Sequence, residues 1–132
     1  MNGVRLAPVE PATAAAMLAG CAGLDPTGIM RERGIADMVA RGACFVAASA
    51  DHEGEAVIVV RIVNDVAWID ACKGVGPAPW VGLLLPAIEA QARGQRPACG
   101  AVAFQTARPG LVRQAKRQGY RVTGWILRKE LE

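Results

Sequence analysis

The chain predicts an α/β fold: one domain spanning residues 1–132, with a mixed, mostly antiparallel sheet and helices on both faces. Three observations carry this expectation. The apolar runs CFVAASA, EAVIVVRIV and VAWIDAC follow one another across short polar turns, as antiparallel neighbours do. Helix-like runs precede them. After them, helical and strand-like runs alternate, which is the pattern of a βαβ unit and a parallel strand pair.

Taken in order, GVRLAPVEP reads as a first strand closed by Pro8 and Pro11. PATAAAMLAGCAG is helical, and Pro11 suits a first helical position because that N–H has no intrahelical partner. LDPTG breaks the helix. IMRERGIADMVARGA is a second helical region split at Gly34, with Ile35, Met38 and Val39 spaced as one apolar face.

From Cys44 the period changes. CFVAASA is a strand, DHEG a turn, and EAVIVVRIV a long β-branched strand. Asn64-Asp65 is a two-residue hairpin signal, and VAWIDAC is the partner strand. A turn over ACKGVGPAP leads into the helical run WVGLLLPAIEAQAR, with Gly94 at its C-cap. Pro86 inside that run predicts a kink between Gly82 and Pro86.

Ala98 to Gln105 is the next strand, parallel to VAWIDAC and diverging from it at the C-terminal ends. ARPGLVRQAKRQGY is a helix with Leu111, Val112 and Ala115 as its apolar stripe. YRVTGWILRKEL is a closing strand.

Composition narrows the function classes. Hydrophobic residues are 52% and charged residues 20% of the chain, a soluble globular balance rather than a disordered one. No apolar run reaches the roughly 18–20 residues that span a bilayer. The start MNGVRLAPVE lacks a signal-peptide core, so the expectation is cytoplasmic, with no membrane partner. Cys21, Cys44, Cys72 and Cys99 are far apart and His52 is the only histidine, so no zinc spacing exists and the thiols read as small buried apolar groups.

Charge is unevenly spread. Residues 1–92 carry six Lys/Arg and ten Asp/Glu (−4), while residues 93–132 carry nine Lys/Arg and two Asp/Glu (+7). The basic part calls for an anionic partner or is a solvated face. Nucleic acid lacks support, because no aromatic-bearing recognition motif accompanies the charge.

The ending RPGLVRQAKRQGYRVTGWILRKEL and the run GLLLPAIEAQARGQ carry a resemblance. The chain resembles the GNAT superfamily of acyl-CoA-dependent N-acetyltransferases, in element order over most of its length and in the pair Gly119-Tyr120. The Arg-Pro-Gly before a basic helix and the Lys-x-Leu ending are similar to GNAT-like proteins of phage and prophage genomes.

The resemblance implies acetyl-CoA as cosubstrate, lying where the fourth and fifth strands splay apart, and an amine as acceptor. The backbone of Ile69, Asp70, Ala71 and Cys72 would hold the pantetheine, and the turn Lys73, Gly74, Val75 and Gly76 the pyrophosphate, with Lys73 as a point charge. Arg108 and Arg113 would reach the adenosine phosphate. Asp70 would be the general base, and the domain would pair as a homodimer.

The sequence departs from the family pattern at defined points. Gly76, Pro79 and Val81 occupy the three key positions of the phosphate loop, and none matches. Pro77 and Pro79 each lack an N–H, so two phosphate donors are gone. Ala115 stands where many relatives place a tyrosine acid. Period-2 alternation puts Trp68 and Asp70 on one face and Ala67, Ile69 and Ala71 on the other. Trp68, Trp80 and Trp125 are core aromatics or pocket walls, His52 sits in an exposed turn, and Glu55 begins a strand. Two readings follow: an acetyltransferase acting on an amine, or a GNAT-fold interaction or structural protein of phage or prophage origin that has lost its chemistry.

Overall fold

The computed structural model describes residues 3–20, 34–125, 127 and 129–131. Among these residues, nine elements run in the order β1 (Val4–Pro8), α1 (Pro11–Leu18), α2 (Gly34–Arg41), β2 (Ala43–Ser49), β3 (Glu55–Val63), β4 (Val66–Gly74), α3 (Trp80–Arg93), β5 (Ala101–Phe104) and α4 (Pro109–Arg117). Cys21, the expected break at LDPTG and residues 29–33 of the expected second helical region lie outside the described residues.

The strands form one sheet in the order β1-β2-β3-β4-β5. Strands β1 to β4 are antiparallel neighbours. Among the described strands, only β4 and β5 are parallel, with Val66–Ile69 opposite Ala101–Phe104. Asn64 and Asp65 turn the β3–β4 hairpin with φ of 47° and 73°. Both lie in the left-handed region that a two-residue turn of this hand demands. Asp65 also ties down the start of β5: its carbonyl and Oδ1 each accept from the Gly100 N–H at 2.9 Å.

Helices cover both faces of the sheet. On one face Ala14, Leu18, Met38 and Val39 from α1 and α2 meet Cys44, Val57, Val59 and Ala71. On the other, Trp80, Leu84 and Ile88 of α3 meet Ala47, Ala56 and Ile58. Residues Ala56 to Val59 of β3 are each fully buried. A central strand covered on both sides has no polar face to show, which is why EAVIVVRIV runs apolar instead of alternating.

Three expectations need correction. Among the described residues the closing strand does not form: Tyr120 to Trp125, Leu127 and residues 129–131 lie outside any strand, and Trp125, Leu127 and Leu131 are 88%, 93% and 87% exposed. Its alternation supplies a face, but a strand also needs a partner's backbone, and none is engaged among the described residues. The fifth strand is shorter than Ala98–Gln105, because the Cys99 N–H is drawn to the Ala92 carbonyl and the Gly100 N–H to Asp65. The thiols are not uniformly buried: Cys44 is, while Cys72 is exposed and Cys99 intermediate. Gly94 is the C-cap of α3, as expected, in a right-handed conformation (φ −78°), its N–H donating back to the Ala90 carbonyl. The helix spans Trp80–Arg93 with Pro86 inside it.

Candidate functional site

The β4–β5 seam is where the sheet opens. Pairing stops at Ile69 and Phe104, while β4 continues along β3 to Gly74. The break coincides with a β-bulge. Val59 faces Ala71 and Val60 faces Ile69, so Asp70 is an extra residue in β4. A bulge sets two residues opposite one and interrupts the strict alternation of faces along the strand. Thus Ile69 packs toward α3, whereas Ala71 belongs to the core under α1 and α2. The expected alternation that grouped Ala71 with Ala67 and Ile69 fails at this point.

Asp70 is not alone. Arg61, on the α1/α2 side of β3, holds it with two bonds, Nε to Oδ2 at 3.0 Å and Nη2 to Oδ1 at 3.2 Å. Such a fork-to-carboxylate contact is among the stronger and most directional of polar pairs. The Asp70 side chain is 18% exposed and that of Arg61 40%. The hairpin register carried the clue: Arg61 faces Trp68, which makes Asp70 its diagonal neighbour, close enough for long side chains to meet.

The turn after β4 is fixed by packing. The Lys73 ammonium donates to the Met17 carbonyl at 3.1 Å, in the last turn of α1 where the helix dipole favours a cation. Gly74 lies against the ring of Trp80, which is 8% exposed and whose Nε1–H donates to the Val75 carbonyl at 3.2 Å. A Cβ on Gly74 would collide with that ring. Gly76, at φ +95°, crosses the DHEG turn beside the Glu53 carbonyl, and a Cβ on Gly54 would run into the Val75 carbonyl. Each feature that made KGVG look like a phosphate cradle has a neighbour in the fold that requires it.

A second feature gathers basic groups instead. An open groove of about 490 Å³ lies between the start of α3 and α4, lined by Val81 on one side and Arg108, Leu111, Arg113, Gln114 and Arg117 on the other. Among the described residues, no carboxylate lines it. Arg108 and Arg113, both expected near a phosphate, therefore share one groove, and Arg117 joins them. Lys73, Gly74, Val75 and Gly76 do not line it. Arg117 was visible in the sequence as the residue one helical turn beyond Arg113.

Tyr120 connects the two helices bordering the groove. Its hydroxyl donates to Glu89 Oε2 of α3 at 2.9 Å, and its ring meets Phe104 of β5 at 5.6 Å between centroids. Burial pushes the phenol up from its ordinary value, and the bond to Glu89 and the charge of that carboxylate push the same way. Burial likewise raises the Cys44 thiol, which donates to the Val39 carbonyl at 3.7 Å. Ala115 is buried, facing the interior. His52 accompanies Ser49, its Nδ1 at 3.1 Å from the hydroxyl, and Glu55 is exposed at the start of β3.

Among the described residues, no group of three or more His, Cys, Asp or Glu side chains is arranged to hold a metal ion, and no helix is long and apolar enough to cross a membrane. No family model, curated protein or solved structure matches the chain.

Proposed function

We propose that the chain is an acyl-CoA-dependent N-acyltransferase that moves an acetyl group to an amine. One observation carries the reading: β4 runs past the end of β5 from a bulge at Asp70, in a parallel pair within an otherwise antiparallel sheet. A strand edge left by its neighbour offers backbone donors and acceptors to an extended ligand, as an added strand would. The arginine-lined groove at the start of α3 supplies the charge that a polyphosphate tail requires.

Acetyl-CoA would supply an activated thioester. The chain's part is positioning, which by itself accounts for a large share of such accelerations. Backbone of Ile69 to Cys72 would align the extended arm, and an N–H there would face the thioester carbonyl. Arg108 and Arg113 would take phosphate charge. Asp70 would accept the amine proton through a water while it remains bridged to Arg61.

A second reading, an interaction or structural protein on the same fold, is favoured by two observations. Both Asp70 oxygens already accept from Arg61. The residues after β4 are committed to packing contacts with Met17, Trp80 and the DHEG turn.

Calorimetry with acetyl-CoA, followed by an acetyl-transfer assay on a panel of amines, separates the two. The enzyme reading expects saturable binding weaker than micromolar, because Pro77 and Pro79 each remove a donor worth roughly 1.5–3 kcal/mol to a charged phosphate. It also expects Asp70→Asn to lower turnover by roughly 10²- to 10⁴-fold. Binding without transfer to any amine supports the scaffold reading, and absence of binding removes the acyltransferase.

A further inference from the structure

The positive charge of the chain is concentrated in one uninterrupted stretch. From Arg93 to Lys129 there are nine Lys/Arg and no Asp or Glu. Three of these cations, Arg108, Arg113 and Arg117, line the open groove between the start of α3 and α4. Their placement on α4 runs against the preferences of an isolated helix. Arg108 stands at the N-cap, beside the positive end of the dipole, and no acidic residue occupies the first turn. Arg113 and Arg117 are one turn apart, a like-charge spacing that destabilises a helix. Neither of these two has an ion-pair or hydrogen-bond partner among the described residues. Beyond α4 the chain presents the exposed Arg121 and an indole: Trp125 is 88% exposed, whereas Trp80 is buried and Trp68 half-buried. The sequence shows no recognition motif with aromatics beside this charge; the exposure of Trp125 supplies the aromatic.

We infer that the groove and Trp125 form a binding track for single-stranded nucleic acid, with the arginines on the phosphates and the indole stacked on a base. Arg113 and Arg117 lie about 6 Å apart along the helix axis, close to the step between neighbouring phosphates of an extended strand. A guanidinium meets phosphate oxygens with parallel N–H donors, and a strand laid across the pair offsets their mutual repulsion. Trp125 is eight residues past Arg117, hence no more than roughly 29 Å from it, within the length of a few nucleotides. Every base has a π-face, so stacking on an exposed ring operates without sequence preference. A duplex fits less well, because its bases are already stacked on one another. A lipid surface also fits less well, because the arginines line a groove, which admits a strand but not a flat bilayer. The inference does not rest on the acyl-CoA reading, and its assay contains no coenzyme.

The test is fluorescence anisotropy on the whole chain with a labelled oligothymidylate of about 12 nucleotides, within the span of known single-strand grooves, and with a duplex of the same length. Co-sedimentation with phosphatidylserine vesicles is run beside it. The wild type should bind the single strand more tightly than the duplex, and log K should fall linearly with log salt. Arg113→Gln with Arg117→Gln should weaken binding and make that slope shallower by about 1.4, two phosphate contacts at about 0.7 each. Arg5→Gln with Arg41→Gln removes the same charge from exposed positions on β1 and α2, and should leave the slope as it was. Trp125→Ala should weaken binding by roughly 5- to 100-fold at an unchanged slope. Absence of oligonucleotide binding at low salt overturns the inference, as does a slope that the groove variant and the β1/α2 variant lower equally. Trp125→Ala binding as the wild type does, or a duplex held as tightly as the strand, also overturns it. Vesicles bound in place of the oligonucleotide assign the surface to an anionic membrane instead, and overturn it too.

Discussion

The turn after β4 and the groove along α4 make an instructive pair. The turn has the residues associated with a phosphate cradle, a lysine and closely spaced glycines after a strand, yet each is engaged by a packed neighbour. Lys73 caps α1, Gly74 admits Trp80, and Gly76 crosses the DHEG turn. The groove has no glycine signature of that kind, yet it collects Arg108, Arg113 and Arg117. Residue type is therefore a poor guide to phosphate chemistry unless the demands of packing are subtracted first. A glycine is needed wherever two backbones or a backbone and a ring come close, and ligand approach is only one such case.

The largest effect expected from this contrast is on stability. Gly74→Ala drives a methyl group into the Trp80 ring at the edge of the α3-side core, and should lower the unfolding free energy by about 1–3 kcal/mol, read from the urea midpoint. An unchanged midpoint would return Gly74 to the list of ligand-binding glycines. Lys73→Met comes next. Loss of the bond to Met17 and of a cation at the α1 terminus should cost about 1 kcal/mol, with acetyl-CoA affinity unaltered. A tenfold weaker affinity at unchanged stability would mean that the turn, after all, holds a phosphate.

A smaller effect concerns pH. The Tyr120 phenol is raised in the folded chain, so folding favours its protonated form. That contribution is fully present below the ordinary tyrosine value of about 10 and is lost as pH rises from there through the folded value. Wild type should therefore lose stability above about pH 10 more steeply than Tyr120→Phe, a difference that urea midpoints across that range would reveal. Matching slopes would detach Tyr120 from Glu89. The smallest effect is expected in the groove. Arg113→Gln is exposed and unpaired among the described residues, and should shift stability by no more than about 0.5 kcal/mol. A larger loss would make the groove a structural feature like the turn.

Much of the sheet was legible because its determinants are local. Asn64-Asp65 dictated a hairpin, and the β-branched run of β3 and the helical period of α3 marked elements whose neighbours in sequence are also neighbours in space. The parallel pairing of β4 with β5 followed from the helix between them. The end of the chain shows the limit of the same logic. The alternation in YRVTGWILRKEL specifies which side chains share a face, but strand formation depends on an edge far away in sequence.

The candidate site divides along the same line. By itself the sequence determined where the turn after β4 falls, that Pro77 and Pro79 lack donors, and that positive charge gathers after residue 92. Only the tertiary structure decided that Asp70 is an extra residue in its strand, that its carboxylate meets Arg61, that Lys73 reaches α1, and that three arginines open on one groove. These are contacts between segments brought together by the burial of two apolar cores. Hydrophobic burial depends on area and has no direction of its own. Which polar side chains end up as partners is thus a consequence of how those cores pack.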